Sequence, residues 1–446
     1  MGIVRRLLKM KEISVGRESF AKFIENDNYF IDKTLFIKEV FKKDQSDVLL
    51  ITRPRRFGKT LTMSTFYEFL RINPSNPDNP EDTSYQQKLF KDTKIFQDQE
   101  FCQEFMGKSP VIFVSFKNVY GGDFKSAYEM LASTIYDLAA NYNYLLENKN
   151  SKLTESQLTQ LKKFFDKDFL INVNNSTYIK DSLTTLTWLL YTYHGVKPIL
   201  LIDEYDVPIA KAASKGYYDD MINIISTMLT KVLKTNQYLG KAVLTGCLRA
   251  AKESIFTGLN NLKVCSIIDN GNPEISKGIG FTKKETEQVL SYYKLDKYFD
   301  LVTKNYDGYR FGWEQMYCPW DVMNFCCDNY RKVGQYEEDI VAGNYWINSS
   351  GNDVIEEYMG YIKPEHIDQM QALVDGNTIT SAIRTSLCYG DLKNHAIEDF
   401  WTLLLYTGYL TIIPQSLRID ETTNGDYVCE LRIPNNEIKS CFRGKI

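Results

Sequence analysis

Five short, predominantly apolar runs constrain the fold of this chain more than any other feature. They are Val48–Ile51, Val111–Val114, Ile199–Ile202, Ala242–Leu244 and Val264–Ile268. The segments between them have helical periodicity, as in the series Leu131, Ile135, Leu138, Tyr142 and Leu145. Continuous apolar runs of this length are typical of strands that are buried on both faces of a parallel sheet. The sequence therefore predicts an α/β fold, a parallel sheet with flanking helices.

The strand signals become sparse after about Phe281. Thr282 and Glu285 have the spacing of a helix capping box, and the residues that follow are rich in Tyr, Trp and Asn and mainly helical in pattern. We place a domain boundary near residues 275–290. The expected organisation is a lead-in over residues 1–46, an α/β domain over 47–280 and a mainly helical domain over 281–446.

Composition excludes several classes of protein. With 53 basic and 57 acidic residues the net charge is −4, so the overall field does not favour nucleic acid, although a local basic face remains possible. No apolar run approaches the ~18 residues of a membrane span. The nine cysteines are scattered without C-x-x-C spacing, and there are only three histidines, which disfavours a zinc site. We expect a cytoplasmic protein with reduced thiols and no membrane partner.

The first apolar run leads into the loop Arg53-Pro54-Arg55-Arg56-Phe57-Gly58-Lys59-Thr60, which precedes a predicted helix from Leu61 to Leu70. Strand, loop, Gly-Lys-Thr and helix form the context of a phosphate-binding loop. Gly58 allows the backbone to approach an anion, Lys59 supplies a charge to the β- and γ-phosphates, and the Thr60 hydroxyl can bind Mg²⁺. Arg53 stands where the consensus has its first glycine, which leaves the tightness of the first turn open. A degenerate motif of this kind also arises by chance.

The third apolar run ends in Asp203-Glu204. Open parallel sheets bind ligands at the edge where the carboxyl ends of the strands lie. One carboxylate, Asp203, can hold Mg²⁺ through water, and its neighbour Glu204 can orient and polarise the water that attacks a γ-phosphate. The alternative interpretation is that Asp203-Glu204 forms a solvated turn after a core strand. The two motifs occur in the expected order on neighbouring predicted elements, and together they favour nucleotide chemistry.

Three further polar residues are candidates with open alternatives. Thr245 ends the fourth run, where it could sense a γ-phosphate or cap a turn. Arg249 follows it and could reach a phosphate or lie on a solvated helix face. Arg310 lies in Tyr306-Asp307-Gly308-Tyr309-Arg310-Phe311-Gly312, where it could sense the nucleotide or stack on a tyrosine.

Several segments together resemble the predicted AAA-ATPase-like family: Asn28–Thr34, Pro54–Thr60, Leu200–Asp206, Leu244–Leu262, Gly280–Thr282 and Tyr306–Gly312. The usual loop of that family is Pro-Arg-Arg-Phe-Gly-Lys-Thr, so the resemblance implies that the missing first glycine is a family habit. It also implies an ASCE-type P-loop ATPase fold related to AAA+ and STAND proteins, and a helical and winged-helix-like portion after residue 285. We expect nucleotide contacts from Pro54 to Leu61, where Arg55 and Arg56 could neutralise phosphate charge or hold a partner carboxylate. Many members carry a C-terminal restriction-endonuclease-like nuclease domain, which we expect to be absent here.

The residues and the resemblance together predict Mg²⁺-dependent binding and hydrolysis of ATP, in a switch or motor module. Lys59 would hold the phosphates, Thr60 and Asp203 the metal, and Glu204 the attacking water, with Thr245, Arg249 and Arg310 as less certain contributors. One alternative is a nucleotide-gated interaction protein with little turnover and an unknown protein partner. Another is a nucleic-acid-handling module, which the net charge does not support.

Overall fold

The computed structural model describes residues 10–42, 45–147, 149, 152–248, 256, 259–269, 271–347, 363–394, 396–421 and 426–443. All structural statements below concern these residues.

A five-stranded parallel sheet forms the centre of the α/β region. Its strands are β1 (Val48–Thr52), β2 (Val111–Ser115), β3 (Ile199–Asp203), β4 (Lys241–Gly246) and β5 (Leu262–Cys265). Their order across the sheet is β2-β3-β4-β1-β5, so β4 lies between the strand that leads into the loop and the strand that ends in Asp203. The predicted α/β fold with a parallel sheet and flanking helices is confirmed.

The first four predicted strands agree with the structure, and the fifth is displaced. It was expected over Val264–Ile268 but spans Leu262–Cys265. This strand is at the edge of the sheet, where its residues are only half-buried, whereas Ile267 and Ile268 are buried beyond its end. Apolar character therefore continues past the last strand residue, and this misled the prediction.

The helices lie on both faces of the sheet and continue into the C-terminal region. They are α1 (Phe20–Glu25), α2 (Leu35–Phe41), α3 (Lys59–Leu70), α4 (Ser84–Phe90), α5 (Gln99–Phe105), α6 (Phe124–Ala140), α7 (Tyr144–Glu147), α8 (Glu155–Lys163), α9 (Lys167–Ile171), α10 (Ser176–His194), α11 (Val207–Lys215), α12 (Tyr218–Leu233), α13 (Pro273–Lys277), α14 (Lys283–Tyr292), α15 (Phe299–Tyr306), α16 (Pro319–Asn329), α17 (Ile367–Asp375), α18 (Ile397–Thr407) and α19 (Asn436–Arg443). The periodicity that continues to Leu145 is broken after Ala140, and a separate short helix follows.

Strand periodicity divides the core between the two faces. Leu50, Leu200 and Leu244 pack with α6, α10 and α12, whereas the alternate residues Leu49 and Leu201 pack with α1, α2 and α3. Successive side chains of a strand point to opposite faces, so fully apolar strands require helices on both sides. The apolar cluster that contains Leu49 and Leu201 continues into C-terminal residues. The α/β region and the C-terminal region therefore share one apolar core.

The region after Phe281 is mixed helical with small antiparallel sheets. One sheet contains β6 (Phe281–Thr282), β7 (Tyr309–Phe311) and β8 (Glu314–Tyr317). In the other, β12 (Tyr427–Arg432) pairs with β9 (Ile379–Ile383), β10 (Thr411–Ile412) and β11 (Arg418–Ile419). Thr282 and Glu285 form the predicted capping box at the start of α14. The winged-helix-like character and the exact domain bounds stay predictions.

Within the part of the chain that the structure describes, no helix combines the length and apolar character needed to cross a membrane.

Arg53, which replaces the consensus glycine, is directed away from the loop into the protein interior. Its side chain is 1% exposed. The guanidinium donates to the carbonyl oxygens of Thr52 (2.7 Å), Cys265 (3.1 Å) and Ile275 (3.2 Å). It also lies 4.7 Å from the centroid of the Phe311 ring. Burial lowers the pKa of Arg53 to about 10, which leaves it charged at neutral pH.

The conformation of the loop explains why glycine is not required at this position. Arg53 is absent from the residues whose φ angle is positive, so an L-residue fits without strain. Its side chain joins the end of β5, helix α13 and strand β7 to the start of the loop. The arginine therefore has a structural role that a glycine could not fill.

Replacing Arg53 with glycine should destabilise the fold rather than improve the loop. The change removes three hydrogen bonds from buried carbonyl oxygens and leaves a cavity, so we expect the free energy of unfolding to fall by about 3–5 kcal/mol. Denaturant titration of the purified chain measures this.

The exposed Arg418→Gly variant is the matched control for Arg53→Gly, because it removes the same side chain from a surface strand. This control change should lower the free energy of unfolding by no more than about 1 kcal/mol. Equal stability of Arg53→Gly and the parent, or tighter nucleotide binding by the glycine variant, would contradict the structural role.

Candidate functional site

A cavity of about 740 Å³ opens at the carboxyl edge of the parallel sheet. The loop after β1 forms its floor. Its walls come from the lead-in, from the segments that follow β2 and β3, and from the C-terminal region, with lining residues that include Gly16, Ile31, Lys117, Lys211, Gly280 and Trp320. Open α/β sheets bind ligands at this edge, and the volume is that of a small-molecule site.

The loop curves around the ammonium group of Lys59. Gly58 has a φ angle of +91°, which favours glycine, and α3 begins at the next residue. The Lys59 side chain is buried, and its Nζ donates to the carbonyl oxygens of Arg53 and Pro54 at 3.0 Å each. The N-terminus of this 12-residue helix and the lysine face the same space, which is the arrangement of an anion site.

Three hydroxyl groups converge on the carboxylate of Asp203, which is 0% exposed. Thr60 Oγ1 donates to one oxygen at 2.7 Å and Thr245 Oγ1 to the other at 2.6 Å. Ser115 Oγ donates to the first oxygen at 3.4 Å. Because β4 lies beside β3, the Thr245 side chain reaches Asp203. Thr245 does not line the cavity. Its direct effect is to fix the orientation of Asp203.

The donor set around Thr60 fits a magnesium ion. A hydroxyl and a carboxylate are hard oxygen ligands, and Mg²⁺ is usually bound by one or two such groups together with substrate phosphates and water. In the described residues there is no group of three or more His, Cys, Asp or Glu side chains that could hold a metal by itself. Thr60 and Asp203 therefore fit a magnesium ion that is also bound by the phosphates of a ligand.

Glu204 lines the cavity next to Asp203 and is half-buried. Burial raises the pKa of its carboxyl above the ordinary value of 4.5, with Asp203 and Asp206 adding to the rise and Lys59 and Arg55 opposing it. Its φ angle is +51°, an uncommon left-handed conformation for a residue with a side chain. The surrounding structure holds this carboxylate in a strained position at the edge of the site.

The remaining loop residues contact the C-terminal region. The Arg56 guanidinium lies 4.1 Å from the centroid of the Trp320 ring. Phe57 packs edge-on against Tyr309, with ring centroids 4.9 Å apart, and also contacts Phe311. Loop and C-terminal region are therefore packed directly against each other.

Arg55 is surrounded by acidic groups. Burial alone would lower the pKa of its guanidinium, but Cys247, Tyr389, Glu204 and Asp206 raise it above the ordinary value. It lines the cavity, as does Leu61, whereas Pro54 contributes its carbonyl oxygen to Lys59.

Of the other two less certain candidates, Arg310 does not join the site and Arg249 is not among the described residues. Arg310 lies in β7 between Tyr309 and Phe311, which face Phe57, so strand alternation directs its side chain to the opposite face. It does not line the cavity, and the geometry gives no support to a nucleotide-sensing role. Arg249 lies outside the described residues.

The structure adds residues that the sequence did not indicate. The cavity is lined by eight basic side chains, Arg17, Lys33, Arg55, Arg56, Lys59, Lys117, Lys211 and Lys215, and by two acidic ones, Glu18 and Glu204. This excess of positive charge favours a polyanionic ligand. An apolar part of the wall includes Val15, Ile31, Phe281, Trp320 and Met323. Arg55, Arg56, Lys59 and Glu204 belong to the two sequence motifs, whereas the other residues of these sets are brought to the cavity by the tertiary structure.

Comparison with known proteins agrees with this geometry. Residues 14–256 match a family model described as "Predicted AAA-ATPase". The chain is similar to an "Uncharacterized protein in vnfD 5'region" of Azotobacter chroococcum mcd 1, with 23% identity over 437 residues that cover 97% of this chain and 69% of that protein. No solved structure matches the chain.

The matched residues contain most of the lead-in, the loop and the strand that leads to Asp203-Glu204, and they amount to more than half of the sequence. The chain therefore belongs to the predicted AAA-ATPase family.

Proposed function

We propose that this chain binds Mg-ATP in the cavity at the sheet edge and hydrolyses it to ADP and phosphate. The observation that carries the proposal is the convergence of Thr60, Asp203 and Glu204 at the start of α3, beside the buried Lys59. Family membership supports nucleotide binding and hydrolysis at a general level.

The basic part of the cavity and its apolar wall would bind different parts of the nucleotide. The amide groups at the start of α3 and the Lys59 ammonium bind the β- and γ-phosphates, while Arg55 and Arg56 offset their remaining charge. The apolar wall that includes Ile31 and Trp320 accepts the base, which has a flat aromatic face. Thr60 and the Asp203 carboxylate would hold Mg²⁺, which would neutralise negative charge on the phosphates when bound.

In the hydrolytic step Glu204 accepts a proton from the attacking water. The water oxygen bonds to the γ-phosphorus, the bond to the β,γ-bridging oxygen breaks, and ADP leaves with that oxygen. The raised pKa makes Glu204 a stronger base than an exposed carboxylate. Thr245 keeps Asp203 in the orientation that this site needs.

A switch with little turnover is the second candidate, and one observation favours it. Arg56 and Phe57 of the loop contact Trp320, Tyr309 and Phe311 of the C-terminal region. A ligand that rearranges the loop would therefore alter these contacts. A steady-state assay of phosphate release with purified chain and Mg-ATP separates hydrolysis from binding alone.

Replacement of Lys59 with alanine should weaken the binding of both ADP and ATP. The variant loses a charge paired with phosphates, which costs about 2–4 kcal/mol of binding free energy. Titration calorimetry with Mg-ADP measures the change. Lys231→Ala, which removes an exposed lysine paired with Asp181, is the control and should bind like the parent. Unchanged affinity in Lys59→Ala would exclude the loop as the phosphate site.

Replacement of Glu204 with glutamine should abolish most hydrolysis and preserve binding. The amide has the size of the carboxylate but cannot accept the proton, so the rate should fall by about 10²-fold or more. Mg-ADP affinity should be retained, because Lys59, Thr60 and Asp203 are untouched. Loss of binding together with the rate would instead show that Glu204 is needed for the structure of the strand edge.

The pH dependence of the parent provides an independent test of Glu204. Because its pKa is raised, the ionised base is lost as the pH falls through a value above 4.5. We expect the acid limb of the rate profile to lie above that value. A profile that is flat down to pH 4.5 in a folded protein would contradict the role of Glu204 as the base.

A further inference from the structure

The turn that carries Glu204 is held from the neighbouring strand. Directly after Glu204, the Tyr205 N–H donates to the Thr245 carbonyl oxygen at 3.0 Å. The Tyr205 hydroxyl donates to the Leu248 carbonyl oxygen at 2.9 Å. A side chain added at Gly246 would collide with Tyr205 and Asp206, which shows how closely the two segments approach. These contacts maintain the strained backbone conformation of Glu204.

Asp206 is the centre of this arrangement. Its side chain is 2% exposed, and one carboxylate oxygen, Oδ2, accepts three hydrogen bonds. Two come from the backbone N–H groups of Cys247 and Leu248, at 2.9 and 3.0 Å. The third comes from the hydroxyl of Tyr389, at 3.2 Å. Asp206 thus joins the turn of Glu204 to the end of β4 and to a residue of the C-terminal region.

The segment that carries Tyr389 contacts both the C-terminal region and the α/β region. Arg384 donates to both oxygens of Asp399, at 2.7 and 2.9 Å. The Cys388 N–H donates to Asp391 at 3.0 Å. Gly390 lies so close to Tyr218 of α12 that a Cβ there would be 2.7 Å from its ring. Movement of the C-terminal region would therefore act on this segment through the Arg384–Asp399 pair, against its contacts with α12 and with Asp206.

We propose that Tyr389 is a positioning residue for hydrolysis, which acts through Asp206 to keep Glu204 in its productive conformation. The inference rests on the proposed ATP hydrolysis. It adds that the docking of residues 384–390 regulates turnover without contributing to nucleotide binding. A displaced segment would leave Lys59, Thr60 and Asp203 intact, since none of their hydrogen bonds involves Tyr389.

The test compares Tyr389→Phe with a matched variant, Tyr128→Phe. Tyr128 is buried, whereas Tyr389 is half-buried; the Tyr128 hydroxyl donates to the Leu170 carbonyl oxygen at 3.0 Å, on the side of the sheet covered by α6. Each change deletes one hydrogen-bonded hydroxyl, so both should lower the melting temperature modestly. Only Tyr389→Phe should lower kcat, by about tenfold, as expected for the loss of a hydrogen bond to a charged group. Its KM and its affinity for Mg-ADP should equal those of the parent.

A double-variant cycle completes the experiment. Asp206→Asn keeps an oxygen for the two backbone N–H groups, and combined with Tyr389→Phe it should slow hydrolysis less than the product of the two single effects. The inference is overturned if Tyr389→Phe and Tyr128→Phe have the same kcat, or if the two single effects multiply. A parent chain that releases no phosphate from Mg-ATP overturns the proposed function and this inference together, whereas an active parent with unaffected Tyr389→Phe overturns the inference alone.

Discussion

The buried carboxylate of Asp203 is the interaction on which the site depends. A charge taken out of water is stable only when its oxygens are hydrogen-bonded, and here the donors come from three different elements. Thr60 belongs to α3, Thr245 to β4 and Ser115 to β2. The order of the strands makes this possible, because β2 and β4 are the two neighbours of β3. The start of α3 and the acidic end of β3 are therefore fixed relative to each other by the sheet itself.

The C-terminal region contacts this site by two separate routes. On one side, Arg53 and Phe57 anchor the loop to Phe311 and Tyr309. On the other, Tyr389 reaches Asp206, two residues beyond Glu204. The first route concerns the groups proposed to bind phosphate, and the second concerns the group proposed to activate water. In the proposed function, binding and turnover thus have distinct physical connections to the same region of the chain.

The sequence was sufficient for the parts of the molecule that local patterns specify. Continuous apolar runs predicted four strands closely. The Gly58-Lys59-Thr60 and Asp203-Glu204 motifs follow β1 and β3, with β4 between them, and lie at the same edge because parallel strands present their carboxyl ends at one edge of the sheet. It was not sufficient where side-chain direction depends on tertiary packing. Arg310 is adjacent in sequence to residues that touch the loop but points the other way. Trp320 and Tyr389 reach the site across long sequence separations that no local spacing reveals. Arg53 looked like a defect in a motif and is instead a buried connection between strands.

The most direct test of this account is a crystal structure of the chain with Mg²⁺ and a slowly hydrolysed ATP analogue. The account predicts phosphates against the amide groups of Gly58, Lys59 and Thr60, the metal about 2.1 Å from Thr60 Oγ1, and the base against the wall that contains Trp320. It further predicts a water between Glu204 and the γ-phosphorus. An analogue bound elsewhere, or bound here with its triphosphate directed away from Lys59, would contradict the central claim.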